Sequence, residues 1–382
     1  MSDMIPYGAQ WLDEEDIAAV VEVLRGAWLT TGPTVASFEA ALAEACGVPH
    51  AIAVNSGTAA LHVAYHAAGL GPGDELITTP LTFAATANAA LYLGATVRFV
   101  DVCADTGNID PDLVRGAVSD TTRVLAPVDY AGHPADYDAL RPIAEASGLT
   151  IVADAAHSLG ARYHGRPVGT LADLTALSLH PIKPITTGEG GAVVTADSGA
   201  AEVARSFRSH GFVRDPERMK HRDEGPWYAE QHALGFNYRL TDIQAGLGLS
   251  QIAKLARFIT RRQEIACHYF GALADLKGIT IPTVREGVES GWHLFTIRVP
   301  EARFRRPLFT RLRELGLGVQ VHYLPVYRHP YYEALGYDAG LCPVAEDLYA
   351  RSITIPLFPR MTDEMVKRVV EGVHHAVSDV LP

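Results

Sequence analysis

Seven short and nearly continuous apolar runs between residues 50 and 195 constrain the fold of the chain more than any other feature. They occupy residues 50–54, 75–79, 96–102, 124–128, 150–153, 174–179 and 192–195. Each has the length of a strand and none alternates cleanly between apolar and polar residues, so each reads as a strand covered on both faces. Helical patterns separate several of them, among them residues 83–93. That βαβ rhythm predicts a mostly parallel seven-stranded sheet lying between helices, an α/β fold. Covering both faces takes a large core, and 382 residues, 48% of them hydrophobic, supply it with length to spare for a second domain.

The rest of the chain fits around this sheet. Residues 13–26 open on four acids and end on Gly26, as a helix does, and residues 35–45 read as a second helix. Residues 211–232 are polar and crowded with charge, either a functional arm or a solvated excursion. A single long helix is expected over 241–258, then a helix to about 276, a strand at 292–299, a helix at 307–315, a strand at 318–322 and a last helix at 362–377. The expected division is a large α/β domain, 1–250, and a small C-terminal α+β domain, 251–382.

Chemistry concentrates at two strand ends. Asp154 follows the run 150–153, and Lys183 lies in a short polar stretch between the runs 174–179 and 192–195, so both are expected at the cleft beyond the sheet. A lysine amine that can form a Schiff base and a carboxylate that can keep a pyridine nitrogen protonated are the two groups that pyridoxal phosphate requires. Asn55-Ser56-Gly57-Thr58 joins a strand to a helix through small residues, where free amides and hydroxyls attract a phosphate, although an ordinary N-cap has the same pattern.

The sequence Asp154-Ala-Ala-His157, followed by Ser178-Leu-His-Pro-Ile-Lys183-Pro-Ile-Thr-Thr-Gly-Glu-Gly-Gly191, resembles the DegT/DnrJ/EryC1/StrS family of sugar aminotransferases, and the likeness runs over nearly the whole chain. Segments 209–211, 235–240 and 319–327 look most like the branch serving pseudaminic acid biosynthesis. The resemblance implies the type I fold of pyridoxal-phosphate-dependent aminotransferases, a homodimer with shared active sites, and transfer of the amino group of L-glutamate to the C4 ketone of a UDP-linked 4-keto-6-deoxy-2-acetamido sugar. Its closest competitor is amination of another nucleotide sugar, dTDP- or GDP-linked or with a 3-keto group. Cofactor anchoring alone does not exclude a lyase or a decarboxylase. A sugar 3-dehydratase of this family would carry histidine where Lys183 stands, and a DNA-binding regulator on this fold would need a further basic domain.

By the same resemblance, Lys183, Asp154 and His157 are the catalytic set, His157 contacting the phenolic oxygen of the cofactor. Phe83 stacks on the pyridine ring, and Ser56, Gly57, Thr58 and Ser178 hold the phosphate together with Asn237 from the neighbouring subunit. Tyr7, Trp28, Thr31, His322 and Tyr323 line the sugar site. Read without the family, Phe83 and Trp28 are also ordinary packing residues, His157 an ordinary structural histidine, Ser178 a solvated strand end, Asn237 a turn residue, and 320–323 a half-buried sheet edge.

Net charge narrows the partners. At −12 with scattered cations the chain offers no nucleic-acid surface, so a polyanionic ligand must be met locally. Cys46, Cys103, Cys267 and Cys342 lie far apart without metal-ligand spacing, which predicts neither a zinc site nor disulfides and fits a reducing cytoplasm. No eighteen-residue apolar run and no leader-like N-terminus suggest a membrane span or secretion.

Overall fold

The computed structural model of the chain describes residues 4–381. Its central sheet contains all seven expected runs: β1 (His50–Val54), β2 (Glu75–Thr78), β3 (Thr96–Phe99), β4 (Thr122–Ala126), β5 (Thr150–Asp154), β6 (Leu174–Ser178) and β7 (Gly191–Thr195). Their spatial order is β1-β7-β6-β5-β4-β2-β3. Parallel neighbours need a crossover, and the helices Ala85–Leu91, between β2 and β3, and Tyr137–Ser147, between β4 and β5, provide it. β7 is antiparallel to both of its neighbours, β1 and β6. Only residues 179–190, which carry Lys183, join β6 to β7, and that stretch contains no helix to bring the chain back to the other end. The candidate nucleophile therefore sits in the sheet's one direct reversal.

Side chains leave the strands in alternation toward two cores. Ile151 and Ala153 belong to one cluster with Phe38, Leu140 and Phe258, while Val152 joins the other with Val63, Tyr65 and Phe207. A third cluster gathers Ile265, Tyr269, Phe295, Ile353 and Val373, and Ile5 from the N-terminal segment completes it. The division at 250/251 remains our proposal; residues 1–3 and 382 at its outer ends lie outside the described residues.

Several expected elements differ. The long helix over 241–258 is two, Asp242–Ile252 and Leu255–Leu273. At the break, the buried Lys254 ammonium meets Asp13, Glu15 and Asp16, so ion pairing with the first helix, Glu14–Arg25, interrupts what apolar spacing alone would continue. Residues 318–322 form no strand: Leu317 bridges Ile5, Gln320 bridges Thr354, and the His322–Tyr323 peptide is cis. The helix expected over 83–93 spans Ala85–Leu91 and leaves Phe83 outside it. That expected at 307–315 starts earlier, at Ala302, and the strand at 292–299 shortens to Phe295–Arg298, paired with Ser352–Ile355. The 211–232 arm carries a two-residue ladder between Phe212–Val213 and Glu230–Gln231. Among the described residues no helix is long and apolar enough to cross a membrane.

Candidate active site

Asp154 closes β5 with its carboxylate buried. Thr86 donates its hydroxyl to Oδ2 at 2.6 Å and the Ala156 amide donates to Oδ1 at 3.1 Å. The Thr82 hydroxyl lies 2.8 Å from that of Thr86 and extends the chain of donors. Burial raises the carboxyl pKa above its ordinary value, and the Thr86 hydroxyl, the Ala156 amide and the Lys183 amine pull it back.

Lys183 occupies the turn after β6, where its amide donates to the His180 carbonyl at 2.9 Å. Burial of the amine lowers its pKa to about 8; Asp154 acts in the opposite sense, and Arg262 adds to the lowering. An amine so tuned offers a sizeable neutral, nucleophilic fraction near neutral pH.

The aromatic candidates converge on this pair. The Tyr323 hydroxyl is 3.1 Å from His157 Nε2, and the Phe83 ring, 63% exposed, stands edge-on to Tyr323 at 6.5 Å between centroids. His157 Nδ1 is buried with no partner among the described residues, and burial holds the ring well below the ordinary histidine value. With the phenol as donor to Nε2, the imidazole hydrogen resides on Nδ1, free for a ligand. His322 packs 5.4 Å from the Tyr7 ring and bonds Thr354 at 2.9 Å, and burial brings it to about 4. Gly8, next to Tyr7, lies against Ile182, so the N-terminal segment passes beside the lysine turn.

Ser56, Gly57 and Thr58 open the helix Gly57–Ala67. Ser56 caps it by accepting from the Ala59 amide at 3.1 Å, and its carbonyl accepts from Ala60, which leaves the Gly57 and Thr58 amides to meet an anion. A Cβ on Gly57 would lie 2.9 Å from Ser178 Cβ, and one on Gly191 would lie 2.4 Å from the Ser56 carbonyl oxygen. Glycine at these two positions lets the helix start, Ser178 and the beginning of β7 close into one cradle. Cradle, lysine, buried carboxylate and unpartnered imidazole together fit a phosphorylated pyridine aldehyde.

Among the described residues Trp28, Thr31 and Asn237 make no side-chain hydrogen bond to this group. Trp28, 58% exposed, and Thr31 belong to a loop pinned by Asp242, which accepts from Gly32 at 2.7 Å. Asn237 is exposed, and its backbone bridges Ser209 and accepts from Asn55 at 3.4 Å within the same chain. Three residues at the site escaped sequence reasoning. Thr86 is one helical turn beyond Phe83 and was findable by spacing; His293 sits in the apolar run Trp292–Phe295, where a polar residue is itself a signal; Arg262 carried no signal within its helix.

The model of the DegT/DnrJ/EryC1/StrS aminotransferase family matches residues 10–374. The chain is 38% identical over 378 residues to the spore coat polysaccharide biosynthesis protein SpsC of Bacillus subtilis, covering 98% of this chain and 97% of that one. It is 39% identical over 372 residues to the uncharacterized protein MJ1066 of Methanocaldococcus jannaschii, with 96% of each covered. Among solved structures, Helicobacter pylori PseC, an aminotransferase involved in the biosynthesis of pseudoaminic acid, superposes with a TM-score of 0.92 at 34% identity, over 99% of this chain and 100% of that one. The PMP-form of the putative sugar aminotransferase Spr1654 from Streptococcus pneumoniae has the same TM-score at 31% identity and the same coverage.

Proposed function

The chain belongs to the DegT/DnrJ/EryC1/StrS aminotransferase family and is a pyridoxal-phosphate-dependent sugar aminotransferase, and from this we propose that it moves the amino group of L-glutamate to the C4 ketone of a UDP-linked 4-keto-6-deoxy-2-acetamido sugar, in nucleotide-sugar biosynthesis of the pseudaminic acid type. When bound, pyridoxal phosphate supplies an electron sink. The Lys183 amine would hold the cofactor by its aldehyde and would serve as nucleophile and as the acid and base that moves the proton. Asp154, fixed by Thr86, keeps a negative charge where the ring nitrogen needs a proton. His157 would donate to the phenolic oxygen, Phe83 would cover the ring, and Ser56, Gly57, Thr58 and Ser178 would hold the phosphate. Tyr7, His322 and Tyr323 face the sugar.

One observation carries the nucleotide part of this reading. Three arginines, Arg205, Arg214 and Arg239, line a cleft of about 650 Å³ beside the Asn237 segment with Thr31, Ser209 and His210, and its wall also carries Asp215 and the ion-paired Glu202 and Arg218. The three arginines have no ion pair among the described residues, which suits a diphosphate on a chain that is otherwise acidic. Exposed Ile17, Leu24, Trp28 and Leu29 support a second copy of the chain packed on this side, with Asn237 and the arm reaching into its site. We place this homodimer in the cytoplasm.

The test is to convert the pyridoxal phosphate form with L-glutamate and then challenge it with UDP- and dTDP-linked 3-keto and 4-keto sugars. Return of the original visible absorbance with the UDP-linked 4-keto sugar supports the proposal. A preferential response to a dTDP-linked or a 3-keto sugar moves it to that substrate, and carbon dioxide or ammonia released from glutamate would exclude amino transfer.

A further inference from the structure

Arg262, on the helix Leu255–Leu273, is 1% exposed and heads the largest fully buried side chains. Its Nη1 donates to the carbonyls of Trp292 at 3.0 Å and Leu357 at 3.3 Å, and its Nη2 to the carbonyl of Ile182 at 3.4 Å. Its Nε has no partner, and among the described residues no carboxylate pairs with it. An unpaired buried guanidinium is costly, and three carbonyls accept from only some of its hydrogens without neutralising its charge. A helix interior built for packing alone would be better served by an apolar residue.

The place of that charge suggests its use, since Ile182 immediately precedes Lys183. Asp154 from β5 and Arg262 from its helix act electrostatically on the Lys183 amine, and the amine acts in turn on the imidazoles of His157, His293 and His322. Burial keeps all three imidazoles far below their ordinary pKa, so they are neutral at neutral pH. Among the described residues His293 has neither ring nitrogen partnered, and its ring lies 4.3 Å from that of His157. What remains around the amine is one negative and one positive charge. Burial already favours the neutral amine, Asp154 opposes it, and Arg262 acts in the same sense as burial.

We propose that Arg262 is a positioning residue for Lys183: through the Ile182 carbonyl it fixes the lysine turn, and its permanent charge joins burial in opposing the hold of Asp154 on the amine's proton. This rests on Lys183 being the cofactor-binding lysine, and reduction of the pyridoxal-phosphate-loaded protein with borohydride tests that separately, because peptide mapping then finds the cofactor on Lys183 or elsewhere.

Arg262 itself is tested in the full chain freed of cofactor. Competitive acetylation read by mass spectrometry gives the titration midpoint of the Lys183 amine in wild type, Arg262→Gln and Arg262→Lys, with circular dichroism as the check on folding. Gln keeps a donor and loses the charge; Lys keeps the charge. Arg262→Gln should raise the proton affinity of Lys183 roughly three- to tenfold, the size of one partly screened neighbouring charge, and Arg262→Lys should stay close to wild type. A folded Gln variant with an unmoved midpoint overturns the proposal, as does a Lys variant that moves as far as Gln. If the Gln variant does not fold, the Lys variant decides alone: a retained low midpoint supports the role of charge, and a raised one overturns it.

Discussion

Thr86→Val removes one hydroxyl and little else, because valine keeps the volume and the branching of a side chain that is wholly buried on its helix. That hydroxyl donates to Asp154 Oδ2 at 2.6 Å. A hydrogen bond to a charged group contributes roughly 1.5–3 kcal/mol and one between neutral groups roughly 0.5–1.5 kcal/mol. The loss is therefore larger when Asp154 is ionised, by about 1–1.5 kcal/mol, which adds about one unit to a carboxyl pKa already raised by burial. The sign follows from linkage. A carboxyl whose folded pKa lies above its unfolded value of about 3.9 contributes its stability fully below that value and loses it as pH rises through the folded pKa. Raising the folded pKa further deepens that loss, so the gap between variant and wild type widens as the solution becomes less acidic. Unfolding a chain of 382 residues carries an entropy of roughly 0.8 kcal/mol/K. The melting temperature should accordingly fall by about 1–2 °C in acid and by about 2–4 °C at neutral pH. Thermal melts of the cofactor-free protein, followed by circular dichroism at several pH values, measure it. A gap that stays constant with pH, or is wider in acid, would refute the view that Thr86 acts on the ionised carboxylate.

Gly57→Ala would place a methyl group 2.9 Å from Ser178 Cβ and spread the cradle; pyridoxal phosphate affinity should weaken roughly tenfold, about 1.4 kcal/mol, and an unchanged dissociation constant in a cofactor titration would remove the cradle from its assigned role. Lys183→Ala should fold normally and lose turnover by several orders of magnitude, since nucleophile and proton carrier vanish together, and wild-type turnover in a coupled 2-oxoglutarate assay would end the assignment. Mixing Lys183→Ala with Asn237→Ala chains, at low cofactor concentration, should regenerate one intact site in each mixed dimer. Activity no higher than the average of the two parents would mean that Asn237 does not reach a partner's site.

The local chemistry of the chain was enough to place the seven strands, because a run buried on both faces announces itself by apolar continuity whatever lies beside it. It was also enough to single out Lys183 and Asp154, since the end of a buried strand can be read off the same pattern. Neighbourhood was decided elsewhere. The antiparallel course of β7 depends on the lack of a crossover after Lys183, and the meeting of Tyr323 with His157 spans 166 residues. Apolar spacing extended the helix past Lys254, where the folded chain instead breaks and the ammonium meets acids at the start of the first helix. Thr86 under Asp154, His293 beside His157 and Arg262 beneath the lysine turn each acquire their roles from a partner on another element. Periodicity reports which face of a segment is buried, while a hydrogen bond or an uncompensated charge depends on what the folded chain brings to that face, and only the tertiary structure contains that information.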